Sequence, residues 1–241
     1  MVRLLLIFLI LPQTAWSGGF SMQRIHTFWI DRTEISIDQF SRFVQETGFV
    51  SHAERNGGGL VYAAGWEKMA GWTWKTPFGR RANQEEPAVH LNYNEASQFC
   101  QWRGLRLPSD DEWMSAAYTE TRAMPSSPFE MGTIYPYPTG NSPLGANCLR
   151  DCGEIDAIDY SDRLDRGFGP SLVGTTKAGV NGLFDMGANV WEWVDSGPGT
   201  DAITRGGSWW YGAFRMHRSD VATKPKGTAA VYIGFRCAGN D

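Results

Sequence analysis

Between Cys152 and Cys237 the chain has no cysteine, and its 241 residues contain only four in all. A thiolate pair, whether for a metal or for redox chemistry, is therefore excluded from that whole stretch. Histidine is also scarce: His26, His52, His90 and His217 stand apart, and no two have the spacing of a zinc site. The nucleophile elbow G-x-S-x-G, the metalloprotease H-E-x-x-H and the phosphate-binding G-x-x-x-x-G-K are missing. Positive charge is not in excess. With 22 Lys and Arg against 26 Asp and Glu the formal charge is −4, which argues against a nucleic-acid partner. No apolar run reaches the roughly 18 residues a membrane span needs, and there is no tandem repeat or low-complexity linker.

What the chain does have is aromatic bulk and glycine. It is 42% hydrophobic and 13% aromatic, with eleven tryptophans and 28 glycines, enough to fill a large core wrapped in loops. Residues 1–17 read as a cleavable signal peptide: Arg3, the apolar run Leu4 to Leu11, then small residues at Ala15 and Ser17. No cysteine follows to carry a lipid. Export to a periplasm or the cell exterior is the expectation, with residues 18–241 as one domain. Ser36 and Gln39 form a capping box for a helix carrying Phe40, Phe43 and Val44, ended by Gly48. Asn92 and Glu95 open a second, with Ala96, Phe99, Cys100 and Arg103 at helical spacing and Gly104 at its end. Ser109 and Glu112 open a third over 110–118. After residue 120 helical signals fade into short apolar runs between Gly, Pro, Asn and Asp, so an α+β, irregular, loop-rich fold is expected.

Export makes the cysteines legible as disulfides, for which four allow three pairings. Cys148 and Cys152 lie four apart in a glycine-flanked loop that can close on itself, which would leave Cys100 and Cys237 to pair. Free buried thiols are the competing reading.

The stretch 204–220, TRGGSWWYGAFRMHRSD, looks like the floor of a cleft. Arg215, His217 and Arg218 make a basic patch on an acidic protein, suited to a carboxylate or phosphate. Ordinary ion pairing with nearby Asp and Glu competes with that reading.

Five ordered blocks carry a resemblance: FWIDRTEISIDQFSRFVQETGF, PAVHLNYNEASQFCQWRGLRLPSDDEWMSAA, NGLFDMGANVWEWV, RGGSWW and IGFRCA. Together they resemble the formylglycine-generating enzyme family, the sulfatase-modifying-factor domain, from about Ile25 to Ala238. The resemblance implies a compact irregular fold related to the C-type lectin fold. Family members that make formylglycine oxidise a substrate cysteine with oxygen, using Cu(I) on two cysteines five positions apart after the GGS motif. Thiolates are soft ligands that select Cu(I). Counted from Gly206-Gly207-Ser208, those positions are Tyr211 and Met216 here. Neither copper nor iron is therefore expected, a metal on Met216, His217 and Tyr211 being the weaker alternative to plain packing of Met216.

The resemblance also implies roles for other residues. Ser208 matches the family's active-site serine and Trp191 a cleft tryptophan, with Tyr211 and His217 as further catalytic candidates. Trp209, Trp210, Arg215 and Arg218 become candidate substrate-binding residues. Calcium would be held by Asp185, the carbonyls of Ala188 and Val190, and Glu192; alternatively Trp191 and Trp193 are core and Glu192 pairs with an arginine. A second calcium site would use Asn147, but Arg166 stands where an acidic ligand belongs and Asp165 beside it is the substitute. The cysteine pairing implied is Cys100–Cys237.

Two function classes remain. One is an exported oxidoreductase or maturation factor acting on a secreted peptide or metabolite, without copper-thiolate chemistry. Relatives lacking the copper cysteines include a periplasmic protein of pyoverdine maturation. The other is a non-catalytic, calcium-stabilised module that binds a small-molecule, peptide or protein ligand. Either is expected to be a monomer, and the ligand anionic.

Overall fold

The computed structural model describes residues 19–164 and 168–241. The expected signal segment 1–17 and Asp165 lie outside the described residues. Strands β1 (Met22–Ile25) and β2 (Phe28–Asp31) form a hairpin that leads to helix α1 (Ile37–Thr47). A one-turn helix α2 (His52–Arg55) precedes the hairpin of β3 (Gly58–Tyr62) and β4 (Trp66–Ala70). Helices α3 (Tyr93–Trp102) and α4 (Asp110–Tyr118) follow. The rest is loop, with strands β5 (Trp191–Trp193), β6 (Asp201–Arg205), β7 (Ala222–Pro225), β8 (Ile233–Gly234) and β9 (Ala238–Asn240). The sheets are small: β1-β2-β9, β3-β4 and β7-β6-β5-β8.

All four helices begin with a reciprocal capping box, at Ser36, Ser51, Asn92 and Ser109. Each satisfies backbone N–H groups that the first turn leaves without partners. Sequence reading finds three of these and misses the one at Ser51, whose helix is too short to show a period. Arg103 stands at the C-cap of α3, and its buried guanidinium pairs with Asp31 at 2.6 and 3.0 Å.

Phe40, Phe43, Phe99 and Trp102 interlock α1 with α3, with ring centroids 5.4 to 5.7 Å apart. The Cys100–Cys237 disulfide ties α3 to the segment before β9, and Cys148–Cys152 closes its own short loop.

The long loops are held by buried amides and carboxylates in place of ladders, because buried backbone groups must find partners. Asn181 accepts from the Thr121 N–H and hydroxyl and donates to the carbonyls of Ala116 and Thr119. Asn189 accepts from the Ser171 N–H and the Asn147 amide and donates to Glu34.

Candidate functional site

Strand β6 delivers the chain into Gly206 and Gly207, both at positive φ, 93° and 79°. A Cβ on Gly206 would lie 2.8 Å from the Met186 carbonyl oxygen, so that residue has to be glycine on both counts. The tight passage turns Ser208 inward. It is 1% exposed, and its Oγ accepts from the Trp210 N–H at 3.3 Å. The Trp209 N–H donates to the Asn189 carbonyl, fixing the segment against the loop that precedes β5.

A single 3-10 turn, Ala213–Met216, then redirects the chain. Met216 is buried: its carbonyl accepts from the Tyr118 hydroxyl at 3.1 Å, and its sulfur lies against Gly187. So Tyr211 and Met216, the two residues reached by counting from the GGS motif, are a half-buried phenol and a packed thioether.

The structure brings together only part of the expected set. Trp191 and Tyr211 meet edge to face at 6.0 Å, and the Arg215 guanidinium lies 5.0 Å from the first ring and 5.7 Å from the second. Trp191, Trp209 and Trp210 are core residues, 1%, 2% and 2% exposed, as is Trp193 at 0%, so the alternative that Trp191 and Trp193 are core holds and the half-buried Tyr211 and Arg215 cover Trp191 from outside. Trp209 does reach a cleft of about 470 Å³ on its other side, shared with Asn147, Cys148, Leu149 and Phe168. His217 turns to the Ser219 hydroxyl at 2.7 Å and the Tyr137 ring. Arg218 is exposed, and its backbone N–H donates to the Pro136 carbonyl.

Two residues that sequence reading missed complete the group. Asp220 pairs with Arg215 at 2.7 Å, and Lys224 on β7 lies 5.4 Å from the Trp191 ring. Burial raises the Asp220 carboxyl against the lowering pull of Arg215. Burial, and then Arg215, hold the Lys224 amine below its ordinary value. The indole N–H of Trp191 and Oδ2 of Asp220 are buried without a partner. Asp220 is the last residue of the 204–220 stretch, and its bond to Arg215 is the ordinary ion pairing that competed with a ligand there; Lys224 sits in no motif, so nothing in the sequence flags it.

Beneath this face lies an acidic cluster. Glu192 takes Arg236 in two bonds of 2.7 Å and also accepts from the Trp113 indole N–H at 2.8 Å. Glu34 accepts from the Val190 N–H and the Asn189 amide; Asp185 accepts from the Gly174 N–H and the Thr176 hydroxyl. Burial, then Asp185 and Glu192, push the Glu34 carboxyl well above the carboxylate range. The arginine pairing of Glu192 weighed against calcium is thus present.

The cluster matches a divalent cation in donor type, since calcium takes hard oxygens. Its charge is less favourable: Arg236 already pairs with Glu192, and burial raises the carboxyls of Glu34 and Asp185. No three acidic, imidazole or thiol side chains converge on one point among the described residues, so backbone carbonyls would complete the shell. Asp185 and Ala188 have left-handed φ, 59° and 60°, which folds this loop back on itself. At the second expected site the Asn147 amide donates to Gly169 O and Asn189 Oδ1.

A mixed α and β fold with small sheets and long loops defines the class, and solved structures share it. One is PvdO from Pseudomonas aeruginosa, with a TM-score of 0.59, 17% identity, and 89% of this chain and 80% of that one covered. The model of the sulfatase-modifying factor enzyme 1-like domain matches residues 18–241, and the chain belongs to that family. A formylglycine-generating enzyme of Thermomonospora curvata is 29% identical, over 89% of this chain and 82% of the relative. An inactive C-alpha-formylglycine-generating enzyme 2 of Mus musculus is also 29% identical, over 89% and 75% respectively. Among the described residues no helix is long and apolar enough to cross a membrane.

Proposed function

We propose that this protein is an exported member of the family that binds a peptide or metabolite over the Trp191–Tyr211–Arg215 face and does not generate formylglycine. One observation supports the reading: Met216, which with Tyr211 falls where the resemblance puts the thiolates, is sealed into the interior. A phenol and a buried thioether cannot replace two thiolates as a Cu(I) site. The two disulfides support the exported setting, since such bonds persist outside the cytoplasm.

Calcium, when bound, would neutralise the acidic cluster. Asp185 and the carbonyls of Ala188 and Val190 would hold it, with Glu192 shared between the ion and Arg236.

A second reading, an oxidoreductase or maturation factor, has its own observation. Among the described residues the buried Trp191 N–H and Asp220 Oδ2 have no hydrogen-bond partner, two polar groups left unpaired beneath the face a substrate would cover.

The test is a Cu(I) competition titration against a bathocuproine chelator. The wild type is expected not to compete. Tyr211→Cys/Met216→Cys, which restores the spacing, is expected to bind one equivalent. Stoichiometric Cu(I) binding by the wild type would overturn the reading.

A further inference from the structure

We propose that Arg215 and Lys224 form a two-cation seat over Trp191 that binds the carboxylate of a ligand with a planar, aromatic body. The proposal rests on the reading of this face as a binding site and names what it binds.

The charges around Trp191 do not balance. Arg215 Cζ and Lys224 Nζ lie 5.0 and 5.4 Å from the centroid of the same indole. Asp220 bonds directly to only one of them, through Oδ1 on Arg215 at 2.7 Å, and reaches Lys224 only through space, so two cations share one carboxylate. Among the described residues no carboxylate lies within ion-pair distance of Lys224, whose amine makes one long bond, 3.3 Å, to the carbonyl of its neighbour Thr223. Elsewhere the buried cations are fully engaged: Arg236 by Glu192, Arg103 by Asp31 and Arg205 by Asp110. Lys224 is the half-buried exception, pressed against a second positive group. A carboxylate at this point would relieve the repulsion between the two cations and give Lys224 the partner it lacks.

The aromatic half of the ligand is read from the surface beside that charge. Phe214, 61% exposed, flanks Arg215. Tyr211 contacts Tyr232 at 5.9 Å, Tyr232 contacts Trp66 at 6.3 Å, and Trp66 contacts Tyr62 at 5.4 Å. Tyr62 and Trp66 are 41% and 46% exposed on the β3–β4 hairpin. These rings link the cations to the hairpin over the buried Tyr232, leaving Phe214 beside the charge and Trp66 and Tyr62 on the hairpin exposed to a flat apolar body with its charge at one end.

The test compares N-acetyltryptophan with its primary amide, which differ in charge and not in shape, by calorimetry at low salt. The acid is expected to bind at least tenfold more tightly, and Arg215→Met or Lys224→Met to erase the difference. In the folded wild type, trace acylation with acetic anhydride supplies a readout that needs no variant. The acid, and not the amide, is expected to slow labelling of Lys224 while Lys68 and Lys226 react unchanged. Equal binding of acid and amide overturns the two-cation seat and leaves the binding face standing. Binding of neither, with Lys224 unprotected, overturns both.

Discussion

Glu192 and Arg236 join in a two-bonded ion pair with both side chains at most 1% exposed. Glu192 lies on β5 and Arg236 just after β8, strands that pair in parallel, so the bridge locks the tryptophan-bearing strand to the C-terminal segment. Breaking a buried pair from one side strands a charge in the interior. Glu192→Gln and Arg236→Gln should therefore each cost about 3–5 kcal/mol of stability. The double variant should cost clearly less than the sum, because it leaves no lone charge. Urea unfolding of the four proteins checks this, and additive losses would contradict it.

The acidic cluster around that pair makes calcium removal a direct probe. Saturating calcium at a hundredfold its Kd should add about 2.7 kcal/mol, which raises Tm by roughly 5–10 °C for a chain of this size. Asp185→Ala should abolish the effect. Identical melting curves in chelator and in millimolar calcium would leave the cluster without an ion.

His90 gives a pH dependence with a definite sign. Its ring is fully buried, between the carbonyls of Pro77 at 2.9 Å and Ala229 at 3.5 Å, and burial lowers its pKa from 6.5 to about 4. As pH falls below about 6.5 the unfolded chain takes the proton first, so the contribution present at neutral pH is lost on the way to pH 4. Across that window the loss is about 3 kcal/mol. His90→Asn, which tolerates the left-handed φ of 55°, should remove this component from the pH profile of unfolding. A variant profile parallel to the wild type would show that His90 does not titrate there.

The three longer helices were legible because their signals are local, a cap with a carboxylate or amide three residues on, whereas α2 has the same box but only one turn. The strands were not. Most hold two to five residues, too few for an alternation, and they are set by pairings such as β2 with β9 from opposite ends of the chain. Glu34 and Arg236 entered the acidic cluster for the same reason, through contacts that no short window contains.

The candidate site divides the same way. The resemblance located Trp191 and Tyr211, the basic patch in 204–220 pointed to Arg215, and the three meet. It gave no means of telling that Trp209 and Trp210 point into the core, or that Lys224 arrives beside Trp191 from another strand. Cys100–Cys237 was implied by the family blocks and is present, whereas composition alone left three pairings open.

The central claim is that the loss of the thiolate pair at Tyr211 and Met216 ends formylglycine chemistry while the face around them still binds a ligand. The most direct measurement incubates the purified, disulfide-intact protein with copper, oxygen, a thiol reductant chosen to spare its bridges, and a cysteine-containing sulfatase peptide. Mass spectrometry then follows the peptide cysteine. The account predicts an unchanged cysteine, or its ordinary disulfides, at every time point. Catalytic appearance of the aldehyde would contradict it.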